Sequence, residues 1–118
     1  MATIKSYSDL QQSRKLAEIL PLESADMYYV LSEDESTNMV NFGKPQGFFD
    51  KTQVAWSIAS LLGVLPNGTD IVKDEADTEN EHYMCTVGIK DAIIPTFGKN
   101  PIDACVDMIL KLRELKML

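Results

Sequence analysis

An amphipathic helix near the carboxyl end of the chain is the feature that most constrains the fold. Asn100 can cap its first turn, Pro101 suits the first helical position, and Asp103 lies near the positive end of the helix. Apolar side chains then recur at helical spacing along one face, at Ile102, Cys105, Val106, Ile109 and Leu112. A helix with one apolar face needs a core to cover, so the sequence predicts a packed globular fold.

Composition supports this prediction. The chain has 118 residues, of which 45% are hydrophobic and 25% charged, as in ordinary globular domains. This length predicts a single domain, residues 1–118. It also predicts a core large enough to need neither metal nor disulfide.

The first part of the chain predicts a helix followed by a hairpin. Ser8 and Gln11 fit a capping box, and Pro21 disfavours helical geometry at Leu20, so we expect a helix from Ser8 to about Leu20. The aromatic and β-branched run Met27–Leu31 predicts a buried strand, with residues 39–42 as its antiparallel partner.

The centre of the chain predicts a second helix at residues 54–62, capped by Asp50 or Thr52 and ended by Gly63. Its side chains are apolar on nearly every face, so we expect this helix, with Trp56, to be central to the core.

Two further strands are predicted beyond this helix. In residues 83–87, Tyr83, Cys85 and Val87 alternate toward one side. Residues 92–97 predict an edge strand, because Pro95 cannot donate a backbone hydrogen bond.

The predicted order is therefore α-β-β-α-β-β-α. This order favours an α+β fold of two layers with an antiparallel sheet of three or four strands. We expect the first and last helices on one face of that sheet, with the central helix between them or across one end.

An acidic segment, residues 70–81, carries six carboxylates against one lysine. Its simplest interpretation is a solvated loop or strand edge outside the core. The alternatives are a surface for a basic partner and a weak cation site. Its acidic residues are Asp70, Asp74, Glu75, Asp77, Glu79 and Glu81. The net charge of −7 argues against direct nucleic-acid binding, which needs clustered Lys and Arg.

Three stretches of the sequence form a recognisable set. They are residues 16–27, then Trp56 and Ser57 followed by Ala59, Leu61, Leu62 and 64–66, and finally residues 100–105 continuing through Met108 and Ile109 to near Leu115. Together they resemble a family of small uncharacterised proteins from phages and mobile elements of gut bacteria. The resemblance implies an accessory protein of a bacterial mobile element, and it brings no catalytic residue or cofactor.

Catalytic groups are sparse. His82 is the single histidine, and His82 and Cys85 would point to opposite faces of a strand. A pair of Cys105 and His82 could meet in space, but a buried structural cysteine is the simpler interpretation. No phosphate-binding glycine motif or nucleophile motif occurs, so we expect no cofactor and no metal site.

These observations favour a non-enzymatic protein that acts by binding another protein. One alternative is an acidic mimic of nucleic acid that blocks a DNA-binding protein. A second is a small enzyme using Cys105 or a carboxylate pair.

The expected compartment is the cytoplasm, without membrane contact. No apolar segment typical of a secretory signal opens the sequence, and the longest uncharged apolar-rich run, residues 54–65, is too short to span a bilayer. Both cysteines are then expected as free thiols. The apolar ending, Leu115, Met117 and Leu118, either folds back onto the domain or meets a second copy, and we favour a homodimer.

Overall fold

The fold is α+β, as the sequence predicts, with three helices and antiparallel strands. A computed structural model describes residues 5–35, 38–44, 51–74, 82–89 and 91–118. Its elements in chain order are α1 (Leu10–Ile19), β1 (Met27–Leu31), β2 (Asn38–Phe42), β3 (Thr52–Ala55), α2 (Ile58–Val64), β4 (Thr69–Asp74), β5 (His82–Ile89), β6 (Ala92–Gly98) and α3 (Pro101–Glu114). The described part of the chain contains six strands in two three-stranded sheets, where the sequence predicted one sheet of three or four.

The N-cap of helix α1 lies one residue later than predicted. Asp9 is the N-cap: its carboxylate accepts a hydrogen bond from the Gln12 amide at 2.8 Å, and Gln12 Oε1 accepts one from the Asp9 amide at 3.1 Å. The helix ends before Pro21, as expected. The predicted cap, Ser8, is buried instead.

Ser8 is the centre of a buried hydrogen-bond network. Its hydroxyl accepts from the Trp56 amide at 3.0 Å and shares a hydrogen bond with the Ser13 hydroxyl at 2.7 Å. Its carbonyl accepts from the Tyr29 hydroxyl at 2.8 Å. This network explains why Ser8 does not cap α1: its side chain already joins α1 to the segment after β3.

The first sheet has the strand order β2-β1-β3 and is antiparallel throughout. Tyr29 lies opposite Val40 on β2 and opposite Gln53 on β3. The predicted pairing of residues 27–31 with residues 39–42 is therefore confirmed, and β3 is a third strand that the sequence did not predict.

The prediction for the centre of the chain was wrong in its first half. Val54 lies in β3, where it pairs with Tyr28 of β1. The helix starts only at Ile58, with Ser57 as its N-cap. Thr52 is therefore a strand residue, and Asp50 lies outside the described residues. Gly63 lies within α2 rather than ending it, and the C-cap is Leu65, directly before Pro66.

Helix α2 is also less central than predicted. Leu61 is buried, but Leu62 is 42% exposed, so the helix has an outer face. Trp56 is fully buried, as expected, although it precedes the helix. Its indole Nε1 donates to the Ser24 hydroxyl at 3.0 Å.

The second sheet has the strand order β4-β5-β6 and is also antiparallel. Cys85 and Val87 are buried, which confirms the predicted alternation of β5. Strand β6 is an edge strand, as Pro95 predicted. Residues 70–74 belong to the other edge strand, β4, and residues 75–81 lie outside the described residues.

The first and last helices do not share one sheet face, contrary to expectation. Helix α3 covers one face of the second sheet, whereas α1 packs against β3 of the first sheet. The predicted cap and apolar stripe of α3 are confirmed: Asn100 Oδ1 accepts from the Asp103 amide at 2.9 Å, and the stripe residues are buried. One core cluster takes side chains from all three helices and from both sheets.

Candidate functional site

The open face of the second sheet is the side that α3 does not cover, and it carries a row of apolar side chains. Val72, Met84 and Phe97 lie directly opposite one another across β4, β5 and β6. Val72 is 49% exposed and Phe97 51% exposed. We define the open face by Val72, Met84, Thr86, Ile93, Pro95 and Phe97.

Strand alternation places further apolar groups on the same face. Ile93 and Pro95 follow the same two-residue period as Phe97 along β6, and Ile93 is 72% exposed. Their neighbours Ile94 and Thr96 point to the other side, toward the core. Strand β6 is therefore apolar on both faces, although only one is covered by the described residues.

Asp70 adds charge to the open face. It lies opposite Thr86 on β5, and Thr86 lies opposite Pro95 on β6, so the three form a second row across the sheet. Asp70 is exposed, as the prediction of a solvated acidic segment requires. Asp74 ends β4, and Glu75, Asp77, Glu79 and Glu81 lie outside the described residues.

Among the described residues, the two exposed apolar side chains of β2 do not form such a patch. Met39 and Phe42 on β2 are 62% and 80% exposed, but they are three positions apart on one strand and so point to opposite faces. Single exposed apolar side chains are normal on protein surfaces, whereas contiguous ones mark interaction sites.

A polar groove of about 540 Å³ lies between the amino-terminal ends of α1 and α3. Lys5 Nζ donates to Asp9 at 3.0 Å, to Gln12 at 2.7 Å and to Asp103 at 2.9 Å. Burial opposes ionisation of Asp103, but the hydrogen bonds from Lys5 and Gln12 outweigh it and hold its pKa below the ordinary value.

Asp107, one turn further along α3, differs from Asp103. Burial and the neighbouring Asp103 charge raise the pKa of Asp107. Opposite pKa shifts in two neighbouring carboxyls are the pattern of an acid–base pair. Here, however, Asp103 is already bonded to Lys5, Gln12 and Asn100, so its carboxylate serves to join α1 to α3.

An apolar groove of about 340 Å³ lies beside the first sheet. Its walls combine apolar side chains with one carboxylate and one ammonium group at the rim: Leu22, Glu23, Ala25, Met27, Gly43, Lys44 and Val54. Its volume is at the lower limit for a small-molecule site, and it brings few polar groups together.

The two cysteines meet, which the sequence did not predict. Cys85 and Cys105 are buried free thiols in one core cluster, and each shifts the pKa of the other. Cys105 therefore contacts Cys85 rather than forming the suggested pair with His82. Neither thiol lines an open pocket in which a substrate could bind, because both are fully buried, so this arrangement does not favour Cys105 as the nucleophile of an enzyme.

Comparisons with protein-family models, with curated proteins and with solved structures find no match to this chain. Across the described ranges, no helix has the length and apolar character needed to cross a membrane. Nor do those residues include a group of three or more His, Cys, Asp or Glu side chains arranged to hold a metal ion.

Proposed function

We propose that this is a non-enzymatic accessory protein of a bacterial mobile element that acts by binding another protein through the open face of its second sheet. The carrying observation is the apolar row of Val72, Met84 and Phe97, which no described helix covers and in which Val72 and Phe97 are half exposed. The mobile-element origin is supported by the resemblance described above, and by that alone.

The chemistry of the face defines the kind of partner. The partner must place an apolar surface over Phe97 and Ile93, because burying these side chains supplies the binding free energy. Basic groups should surround that strip, since Asp70 borders the face and the chain carries a net charge of −7. A second copy fits this face poorly, because both copies would bring the negative charge of Asp70 to it.

Substitutions on the open face test the proposal. The double variant Val72→Ser, Phe97→Ser removes two half-exposed apolar side chains, and we expect it to weaken partner binding roughly 10- to 100-fold. The matched control is Met39→Ser, Phe42→Ser, which removes two apolar side chains from the first sheet that are more exposed than Val72 and Phe97. Partners captured from a bacterial lysate by the parent protein are identified, purified and titrated calorimetrically against all three proteins.

The control decides the outcome. Unchanged binding by the open-face variant, or an equal loss in the control, would contradict the proposal. Melting temperatures of both variants are measured first, since exposed substitutions should leave stability within about 0.5 kcal/mol.

The nucleic-acid mimic makes a different prediction. Replacing Asp74, Glu75, Asp77 and Glu79 with Ser should abolish partner binding if these carboxylates imitate phosphates, and parental binding should weaken steeply with salt. If the open face binds the partner, that variant should keep most of its affinity, with a slower association rate.

A further inference from the structure

The two thiols lie at a junction between α3 and the second sheet. They are twenty positions apart in the sequence, yet both side chains are fully buried in one core cluster, where each shifts the pKa of the other. Cys85 lies on the covered face of β5, and Cys105 belongs to the buried stripe of α3. A bond between their sulfur atoms would join the helix directly to the central strand.

Two contacts fix the distance between helix and sheet at this point. Thr96, which lies opposite Cys85 in the ladder, donates its hydroxyl hydrogen to the Ala104 carbonyl at 2.8 Å. Gly98 allows the close approach, because a Cβ there would lie 2.5 Å from the Ala104 amide nitrogen. The residue next to Cys105 is thus held against the strand next to Cys85.

We propose that Cys85 and Cys105 form a reversible redox site, which closes to an intramolecular disulfide when a peroxide reaches it. This inference is independent of the proposed function.

The reaction balances in two steps. The Cys85 thiol loses its proton and its sulfur attacks one peroxide oxygen. The O–O bond breaks, and hydroxide leaves and takes up a proton to give water and a sulfenic acid. The Cys105 sulfur then attacks the Cys85 sulfur. The S–O bond breaks, and the departing hydroxide takes the Cys105 proton to give a second water. Two thiols are oxidised by two electrons and the peroxide is reduced.

The environment assigns the two roles. The neighbouring Cys105 side chain lowers the pKa of the Cys85 thiol against the opposing effect of burial. The neighbouring Cys85 side chain, with burial, raises the pKa of Cys105. We therefore assign the attack on the peroxide to Cys85 and the resolution of the sulfenic acid to Cys105, and the single variants below test this order.

Access sets the rate. Neither thiol has exposed surface, so peroxide enters when α3 lifts locally from the sheet. Oxidation of the folded protein should be slow compared with that of the unfolded chain. Once closed, the disulfide holds α3 on the sheet, and a dithiol reductant reopens it by thiol–disulfide exchange.

The test treats the folded parent protein with hydrogen peroxide, alkylates remaining thiols under denaturing conditions and measures the intact mass. We expect a monomer lighter by two hydrogen atoms, without alkylation, whose peptide map links Cys85 to Cys105. Dithiothreitol should restore two alkylatable thiols. The oxidised form should melt higher by roughly 10 °C, because the crosslink restricts the unfolded chain.

Single variants separate the two roles. Cys105→Ser should stop at a sulfenic acid on Cys85, trapped by a dicarbonyl reagent. Cys85→Ser should react about tenfold more slowly at Cys105, whose ionisation is disfavoured. Full alkylation of the treated parent, sulfinic acids without a crosslink, or only intermolecular disulfides would overturn the proposal. The parent mass is decisive even where a variant fails to fold.

Discussion

Gly98 and Ser8 show how single residues hold the elements of this protein together. Gly98 ends β6 where α3 begins, and the backbone of α3 occupies the space that a side chain would need. Ser8 places a hydroxyl in the core that serves both the Trp56 amide and Ser13. Neither role is visible in the sequence, since glycine and serine there suit ordinary turns and caps.

Gly98→Ala should destabilise the protein by about 1–3 kcal/mol, because the added methyl group meets backbone rather than a flexible side chain. Gly63→Ala is the matched control. It lies within α2 with nothing in the way of a Cβ, so it should stabilise by about 0.5–1 kcal/mol. Urea unfolding of both variants checks the opposite signs.

Ser8→Ala should cost about 1–3 kcal/mol, because it leaves the buried Trp56 amide without its acceptor. The exposed Ser6 provides the control, and Ser6→Ala should change the free energy of unfolding by less than about 0.5 kcal/mol. Similar midpoints for the two variants in urea would show that the hydroxyl of Ser8 does not matter.

At the scale of the element, helix ends and apolar faces set the packing. Helix α3 has its predicted cap and a stripe that covers the second sheet. Helix α2 is anchored at its start by Asp26, whose carboxylate accepts from the Ser57 amide at 2.9 Å and from the Ser57 hydroxyl. Asp26 thereby joins the chain before β1 to the first turn of α2.

Ile109→Ala should destabilise the protein by about 2–5 kcal/mol, since Ile109 is fully buried in the stripe of α3. Lys116→Ala, beyond the end of the helix and exposed, should stay within about 0.5 kcal/mol. Thermal melts compare the two variants. If both had the melting temperature of the unsubstituted protein, the stripe would not face the core.

The substitution Asp26→Asn should lower the free energy of unfolding more at pH 7 than at pH 3. Burial opposes ionisation of Asp26, but the hydrogen bonds from Ser57 outweigh it and lower its pKa below the ordinary 3.8. A lowered pKa in the folded state stabilises the protein above the unfolded value, and that contribution disappears as the pH falls through the folded value. Urea titrations at the two pH values measure the difference, and an equal loss at both would contradict it.

At the scale of the molecule, one core cluster joins both sheets and all three helices. Helix α1 contributes Leu16 to the main core and Leu10 to a smaller cluster around Tyr29. In the same way, β3 contributes Val54 to the main core and Ala55 to the smaller cluster.

Leu118 packs against the main core, while Leu115 and Met117 remain exposed. The homodimer that this apolar ending suggests stays a prediction, which sedimentation velocity at micromolar concentration checks.

Unfolding should be one cooperative transition, because α1 and β3 contribute to both apolar clusters. Trp56 is the single tryptophan and reports on the main core, whereas far-ultraviolet circular dichroism reports on all elements. The two signals should give the same urea midpoint. Separate midpoints would mean that the two halves of the chain unfold independently.

Local patterns determined much of the fold from the sequence alone. The cap and stripe of α3, the run at β1 and the alternation of β5 were correct because each depends on neighbouring residues and on one period. Ser8 and the start of α2 were misplaced because several residues nearby suit a cap, and only tertiary contacts select among them. Trp56 was correctly predicted as core.

Only the tertiary structure decided which strand edges pair, which face stays uncovered and which distant side chains meet. Periodicity predicts that β6 is a strand, but it does not say that α3 covers one of its two apolar faces and leaves Phe97 open. Nor does it place Cys105 beside Cys85. These are long-range contacts, and they follow from how all elements together bury the most apolar surface, a property of the whole chain that no local segment contains.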